Sequence, residues 1–68
     1  MRINNDMIIG RILQRVLDAR SEGIFEITHG VDFNSDVDYI IGVLNTFNEI
    51  IHIQKEELPY GWKLRIRI

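Results

Sequence analysis

Three side chains with oxygen ligands alternate in the middle of the sequence: Asp32, Asn34 and Asp36. Such alternation opens the calcium-binding loop of an EF-hand. The rest of that loop is absent, because Val37 stands where the sharp turn requires glycine and Val43 where the bidentate glutamate would bind. We therefore predict no metal site and expect the aspartates to serve in helix capping.

Residue types used by enzymes occur without the spacing that catalysis needs. His29 and His52 are the only histidines, and nothing in the sequence places them together or beside a nucleophile. We expect His29 in a turn and His52 on the polar face of a strand. Glu56 and Glu57 are adjacent, so on a strand their carboxylates point to opposite faces. Because the chain has no G-x-S-x-G, P-loop or H-E-x-x-H motif, we expect no catalytic residues, no cofactor and no enzymatic activity.

Basic residues alternate near the end of the chain. Lys63, Arg65 and Arg67 fall on one face of a predicted strand and form a ridge that can neutralise phosphate groups. Lys55 joins this ridge if the neighbouring strand pairs in the corresponding register. The alternative is that these cations only make the strand soluble and protect an exposed edge from pairing with other chains.

One helix is predicted over residues 5–19, where apolar residues recur at helical spacing and form a stripe on one face. The stripe consists of Ile8, Ile9, Ile12, Leu13, Val16 and Leu17. Asn4 or Asn5 can cap its start, and Gly23 with the two polar residues before it ends the helix.

A second helix is predicted over residues 35–47. Ser35 is the expected cap, and the aspartates that follow it lie in the first turn, where the helix dipole favours acidic groups. Asn48 is expected to end the helix in a left-handed conformation. The predicted inward face consists of Val37, Ile40, Ile41, Leu44 and Phe47, and the outward face of Asp38, Tyr39, Gly42, Asn45, Thr46 and Glu49.

Strands are predicted for the remaining apolar segments. Residues 24–28 (IFEIT) are β-branched and aromatic, which indicates a short strand, and residues 29–34 have the composition of a turn. Residues 50–55 and 62–68 predict an antiparallel hairpin joined by the turn segment EELPYG, with Trp62, Leu64, Ile66 and Ile68 facing inward. Two main helices, a short strand and a C-terminal hairpin indicate an α+β fold in a single domain, residues 1–68.

Charge is unevenly distributed along the 68 residues, whose net charge is −2. Residues 2–20 carry +2, residues 21–50 carry −6 with no lysine or arginine, and residues 51–68 carry +2. The chain is therefore basic at both ends and acidic in the middle, where the second helix is predicted. A chain this short has a small core, so we expect marginal stability that self-association would increase.

Nothing in the sequence indicates a membrane or a secreted protein. The chain has no cysteine, which excludes disulfides and thiolate metal sites and is consistent with a reducing compartment. Its apolar stretches are far shorter than the ~20 residues of a membrane span, and no signal peptide opens it. We expect a cytoplasmic protein.

The order helix, short strand, helix, strand, loop, strand resembles the winged-helix domain of small bacterial and phage proteins. In that family the third helix passes directly into the first wing strand, as YIIGVLNTFNEIIHI would here, with Asn48 in the place of a glycine. Two features depart from the family: only residues 21–35 separate the helices, which leaves little room for a second helix, and the helix in the reading position is acidic. The other topology we consider is a helix pair on one face of a three-stranded antiparallel sheet, completed within the chain or by a second copy.

The resemblance implies a regulatory module that binds DNA. We expect the basic hairpin to contact phosphate, together with Arg11 and Arg15 on the polar face of the first helix. Tyr60 or Trp62 near the loop would contact sugar or stack on a base. The alternative is that these two aromatic side chains only pack in the loop and the core.

Two competing hypotheses involve protein partners. In the first, a factor of phage or mobile-element type docks on another protein through the acidic helix, whose partner face consists of Asp38, Tyr39, Asn45 and Thr46. In the second, the chain is a homodimer subunit whose C-terminal strand adds to the sheet of its partner.

Overall fold

The computed structural model describes residues 4–68. Two helices and three strands follow one another along the chain: α1 (Asn5–Ser21), β1 (Glu26–Asp32), α2 (Val37–Leu44), β2 (His52–Leu58) and β3 (Gly61–Arg67). The prediction of an α+β fold with two main helices and a C-terminal hairpin is confirmed.

Helix α1 agrees closely with its prediction. The Asn4 side chain caps it by accepting hydrogen bonds from the backbone N–H groups of Asp6 and Met7, at 3.0 and 3.2 Å. After the last turn Gly23 has a φ of 76°, a left-handed conformation that costs glycine little and that ends the helix. The buried face consists of Ile9, Ile12, Val16 and Ala19. Leu17, which we expected on that face, is exposed.

Strand β1 starts two residues later than predicted and is longer. It continues from Glu26 to Asp32, so the prediction that His29 lies in a turn is wrong. The whole of β1 pairs with β3, and this pairing satisfies backbone groups at positions such as Gly30, whose residue type disfavours strands. The segment 33–36 that follows forms a turn and no helix.

Helix α2 is capped by Asp36 and not by the predicted Ser35. The Asp36 carboxylate accepts a hydrogen bond from the backbone N–H of Tyr39 at 3.1 Å. The backbone N–H of Asp36 in turn donates to Asn5 Oδ1 at 3.1 Å, which ties the start of α2 to the first turn of α1. Ser35 is buried, and its hydroxyl has no hydrogen-bond partner among residues 4–68.

The end of α2 also differs from the prediction. The helix ends at Leu44, and the chain continues in tighter turns, in which Thr46 and Phe47 donate to carbonyls three residues back. These turns bring Phe47 to the margin of the core without the left-handed residue we predicted at Asn48. The inward face of α2 is confirmed, since Val37, Ile40 and Leu44 are buried.

The three strands form one antiparallel sheet in the order β1-β3-β2. Both helices pack on one face of it around a core formed by Ile9, Ile12, Val16, Ala19, Ile27, Val31, Val37, Ile40, Leu44, Ile50, Leu64 and Ile66. The C-terminal strand β3 therefore lies in the middle of the sheet. The hypothesis that it adds to the sheet of a second copy is wrong, because both of its edges already pair within the chain.

The hairpin is tighter than the predicted EELPYG turn. Strand β2 continues through Glu56 and Glu57, and Leu58 pairs with Gly61, so Pro59 and Tyr60 alone form the connection. Gly61 lies so close to β1 that a Cβ atom there would collide with the Val31 carbonyl oxygen. The close approach of these two strands therefore requires glycine.

Candidate nucleic-acid interface

The face of the sheet opposite the helices is polar and carries a row of cations along its central strand. Leu64 and Ile66 are buried against the helices, so Lys63, Arg65 and Arg67 point to the opposite face. Alternate residues of a strand lie about 7 Å apart, which gives three positive groups in a line. We call these three side chains the cation row. Their placement is the one that the sequence predicts.

Carboxylates on the flanking strands face the cation row. Glu56, on β2, lies 3.2 Å from Lys63 Nζ, and Glu26, on β1, lies 3.3 Å from Arg65 Nε and 4.0 Å from an Arg67 guanidinium nitrogen. These pairs are solvent-exposed, so each contributes at most about 1 kcal/mol to stability. The row is therefore partly neutralised, but no pair holds its cation strongly.

Lys55 does not belong to the cation row. It pairs with Leu64, so its side chain leaves β2 on the face that the helices cover, and the expectation that it extends the row is wrong. Its ammonium lies 2.9 Å from an Asp38 carboxylate oxygen of α2 and 4.8 Å from the centroid of the Trp62 ring. Lys55 therefore connects β2 to α2 and serves packing.

Arg15 crosses from α1 to the outer edge of β1. One of its guanidinium nitrogens donates to the Thr28 carbonyl oxygen at 2.7 Å and lies 2.9 Å from His29 Nδ1. Since arginine can only donate, His29 Nδ1 is the acceptor and its proton is on Nε2. Burial, and then the charges of Arg15 and Arg11, lower the pKa of His29. The imidazole is therefore neutral near pH 7 and provides Arg15 with an acceptor.

Small residues of β1 lie beside the cation row on the outer face of the sheet. Thr28 pairs with Arg65 and Gly30 pairs with Lys63, so β1 presents a small polar side chain and a glycine beside these two cations. The β1 carboxylates lie farther along, at the two ends of the strand. We call the sheet surface formed by the cation row together with Thr28 and Gly30 the basic face. Arg15 lies at the edge of β1, next to His29, whose side chain is on the helix side of the sheet. Sequence reasoning found its cations but missed Thr28 and Gly30, because only the pairing of β1 with β3 reveals their position.

The predicted partner face on α2 is exposed, but most of its polar groups already have partners. Asp38 binds Lys55, and the Thr46 hydroxyl donates to the Val43 carbonyl. The Tyr39 hydroxyl donates to an Asp6 carboxylate oxygen at 3.0 Å, and this hydrogen bond raises the pKa of Tyr39. Asn45 is the exposed C-cap residue of α2. The structure thus uses much of this face to attach α2 to its neighbours.

Of the aspartates near residue 34, Asp36 caps a helix as the hypothesis predicts, whereas Asp32 serves the turn before that helix. Asp32 Oδ1 accepts a hydrogen bond from the Asn34 backbone N–H at 2.9 Å, and Asp36 caps α2. Within residues 4–68 no three His, Cys, Asp or Glu side chains come together in a group that could hold a metal ion. None of the helices described is both long and apolar enough to cross a membrane.

A comparison of this chain with protein-family models, with curated proteins and with solved structures finds no match. The proposal for the function of this chain is therefore based on its geometry.

Proposed function

We propose that this protein is a non-enzymatic module that binds the phosphate backbone of a nucleic acid through its basic face. The observation that carries the proposal is the cation row on a sheet face that the helices leave open, with the small residues Thr28 and Gly30 beside it. Phosphates bind lysine and arginine by charge and hydrogen bonding, and neighbouring cations spaced along a strand suit a polyanion better than a single small anion.

The sheet is a better candidate than the acidic helix for contact with phosphate. Helix α2 presents Asp38, which would repel phosphate, and its polar groups serve contacts within the chain. The relationship to winged-helix domains stays a hypothesis: the element order agrees, but the turn 33–36 has no second helix and the helix in the reading position is acidic. The resemblance implies that the hairpin and α1 contact phosphate. The cations of the basic face lie on the hairpin and correspond to that part of the resemblance.

The proposal is tested by the salt dependence of binding to an oligonucleotide. If about four phosphates are neutralised, the affinity for a single strand falls about 50-fold between about 50 and about 200 mM salt, and more steeply for a duplex. Changing both Lys63 and Arg65 to glutamine removes two of these contacts. We expect weaker binding and a salt slope that is shallower by about 1.4 for a single strand and by about 1.8 for a duplex.

Lys55→Gln is the matched control because it removes one cation from the same hairpin but from the opposite face. We expect it to leave the affinity and the salt slope unchanged. A loss of binding free energy in the control about half as large as that in the double variant would show that net charge alone determines binding. The absence of any binding at about 50 mM salt would exclude the proposed function.

A further inference from the structure

A shallow pocket opens at the hairpin end of the sheet. Its volume is about 240 Å³, and it is lined by Gly30, Val31, Asp32, Leu58, Tyr60 and Trp62. Tyr60 lies in the two-residue connection and is 74% exposed, which is unusual for an aromatic side chain with no role in the core. The pocket therefore combines apolar walls with an accessible aromatic ring.

Trp62 also lines this pocket, and its ring is directed to the helix side of the sheet, where Lys55 lies. The Lys55 ammonium lies 4.8 Å from the centroid of its ring, and the Phe33 ring meets it edge to face with centroids 5.9 Å apart. Both contacts are attractive for an aromatic ring, so the indole is held in place before any ligand arrives. The ring that is accessible to a ligand in this pocket is therefore that of Tyr60.

The pocket adjoins the basic face. Gly30 lines it, and Gly30 pairs with Lys63, the member of the cation row nearest to the hairpin connection. A strand whose phosphate lies at Lys63 would therefore bring the attached nucleoside to the pocket. The volume is below the roughly 300–1,000 Å³ of sites for drug-sized ligands, and so suits a single planar group.

We propose that this pocket receives one unpaired base of a single-stranded nucleic acid whose phosphates lie along the basic face. The inference rests on the proposed function and deepens it, because it specifies a single strand as the ligand. Exposed aromatic rings beside a basic track are the means by which proteins bind single strands, whereas the bases of a duplex are stacked inside it and cannot enter.

Asp32 gives the pocket a preference among bases. Its Oδ1 accepts the hydrogen bond from the Asn34 backbone, which leaves the other carboxylate oxygen to accept one from the ligand. Amino groups of bases donate such hydrogen bonds, as the cytosine N4 amino group does to carboxylates, while thymine presents the carbonyl O4 there. An oligomer of deoxycytidine should therefore bind more tightly than one of thymidine.

The experiment compares three probes of equal length: single-stranded oligo-dC, its duplex with oligo-dG, and an abasic strand that keeps the phosphates. Single-stranded oligo-dT of the same length is added to test the preference among bases. Trp62 is the only tryptophan, so its fluorescence reports on the pocket directly. We expect oligo-dC to change the Trp62 emission and to bind about tenfold more tightly than the abasic strand, as expected for stacking of one base. Tyr60→Ala should remove most of this difference, whereas Phe25→Ala, an equally exposed aromatic at the other end of β1, should not.

The outcomes separate the pocket from the proposed function. If all three probes bind with equal affinity and lose it at high salt, or if Trp62 emission and the Tyr60→Ala affinity do not change, the pocket is not a base site and the basic face stands. If no probe binds at low salt, both proposals fall. Tighter binding of oligo-dT than of oligo-dC would overturn the role of Asp32, and Asp32→Asn, which offers an amide donor, should shift preference toward thymidine.

Discussion

Lys55 Nζ lies 2.9 Å from an Asp38 carboxylate oxygen, and this ion pair joins the edge strand β2 to helix α2. The Asp38 side chain is 80% exposed and the Lys55 side chain 39% exposed, so the ion pair is largely screened by water. The same ammonium lies over the Trp62 ring. Lys55 therefore has a packing role that Asp38 lacks.

We predict that Lys55→Ala destabilises the protein more than Asp38→Ala. Removal of the lysine loses the ion pair, the cation–π contact and the packing of the alkyl stem, which lowers the free energy of unfolding by about 1–2 kcal/mol. Removal of Asp38 loses only the exposed ion pair, which is worth about 0.5 kcal/mol. Urea unfolding followed by Trp62 fluorescence measures both values. Equal losses in the two variants would show that the contact with Trp62 contributes nothing.

Gly61→Ala is predicted to be strongly destabilising. A Cβ atom at this position collides with the Val31 carbonyl oxygen, and because that atom belongs to the backbone of β1, the two strands must move apart. We expect a loss of about 2–3 kcal/mol in the free energy of unfolding, as for overpacked sites. Gly10→Ala is the matched control, since its Cβ meets open space within α1 and alanine favours the helix by about 1 kcal/mol. The two substitutions should therefore have opposite signs.

The position of the α2 cap gives a second pair of variants with contrasting effects. Asp36→Ala removes the acceptor for the Tyr39 N–H and should cost about 1 kcal/mol. Ser35→Ala removes a buried hydroxyl that has no hydrogen-bond partner among the described residues, and should be neutral or slightly stabilising. The midpoint of thermal unfolding of each variant, compared with that of the wild type, measures these effects. A larger loss for Ser35→Ala would identify serine as the true cap.

The parts of the fold that depend on local spacing could be predicted from the sequence. The α1 stripe, the cap and glycine at its ends, and the strict alternation of β3 are all periodic patterns within one segment. The cation row follows from the same alternation, because it needs only the knowledge that Leu64 and Ile66 face inward.

The parts that depend on pairing between distant segments could not be predicted. The composition around His29 and Gly30 is that of a turn, and only its pairing with β3 makes it a strand. Ser35 and Asp36 are equally good caps by type, and the hydrogen bond from Asp36 to Asn5 of α1 decides between them. The side of the sheet on which Lys55 lies depends likewise on a register that a single sequence does not contain.

The hydrogen bond between Arg15 and His29 makes stability depend on pH. Only the neutral imidazole can accept from the guanidinium, and burial together with the charges of Arg15 and Arg11 places the pKa of folded His29 below 6.5, its value in an unfolded chain. Between these two pKa values the unfolded chain binds more protons than the folded one. The contribution is therefore fully present above pH 6.5 and is lost as the pH falls toward the pKa of the folded state.

We predict that the free energy of unfolding, measured with urea at intervals between about pH 7.5 and about pH 5, decreases toward the acid end because His29 must be protonated there. His29→Gln should reduce this dependence, since glutamine does not titrate and its amide oxygen can still accept from Arg15. His52→Gln, on the other edge strand of the sheet, is the matched control for the change of residue type. If the His29→Gln profile kept the full wild-type slope, other groups would cause the acid sensitivity, and the neutral imidazole beside Arg15 would have no energetic role.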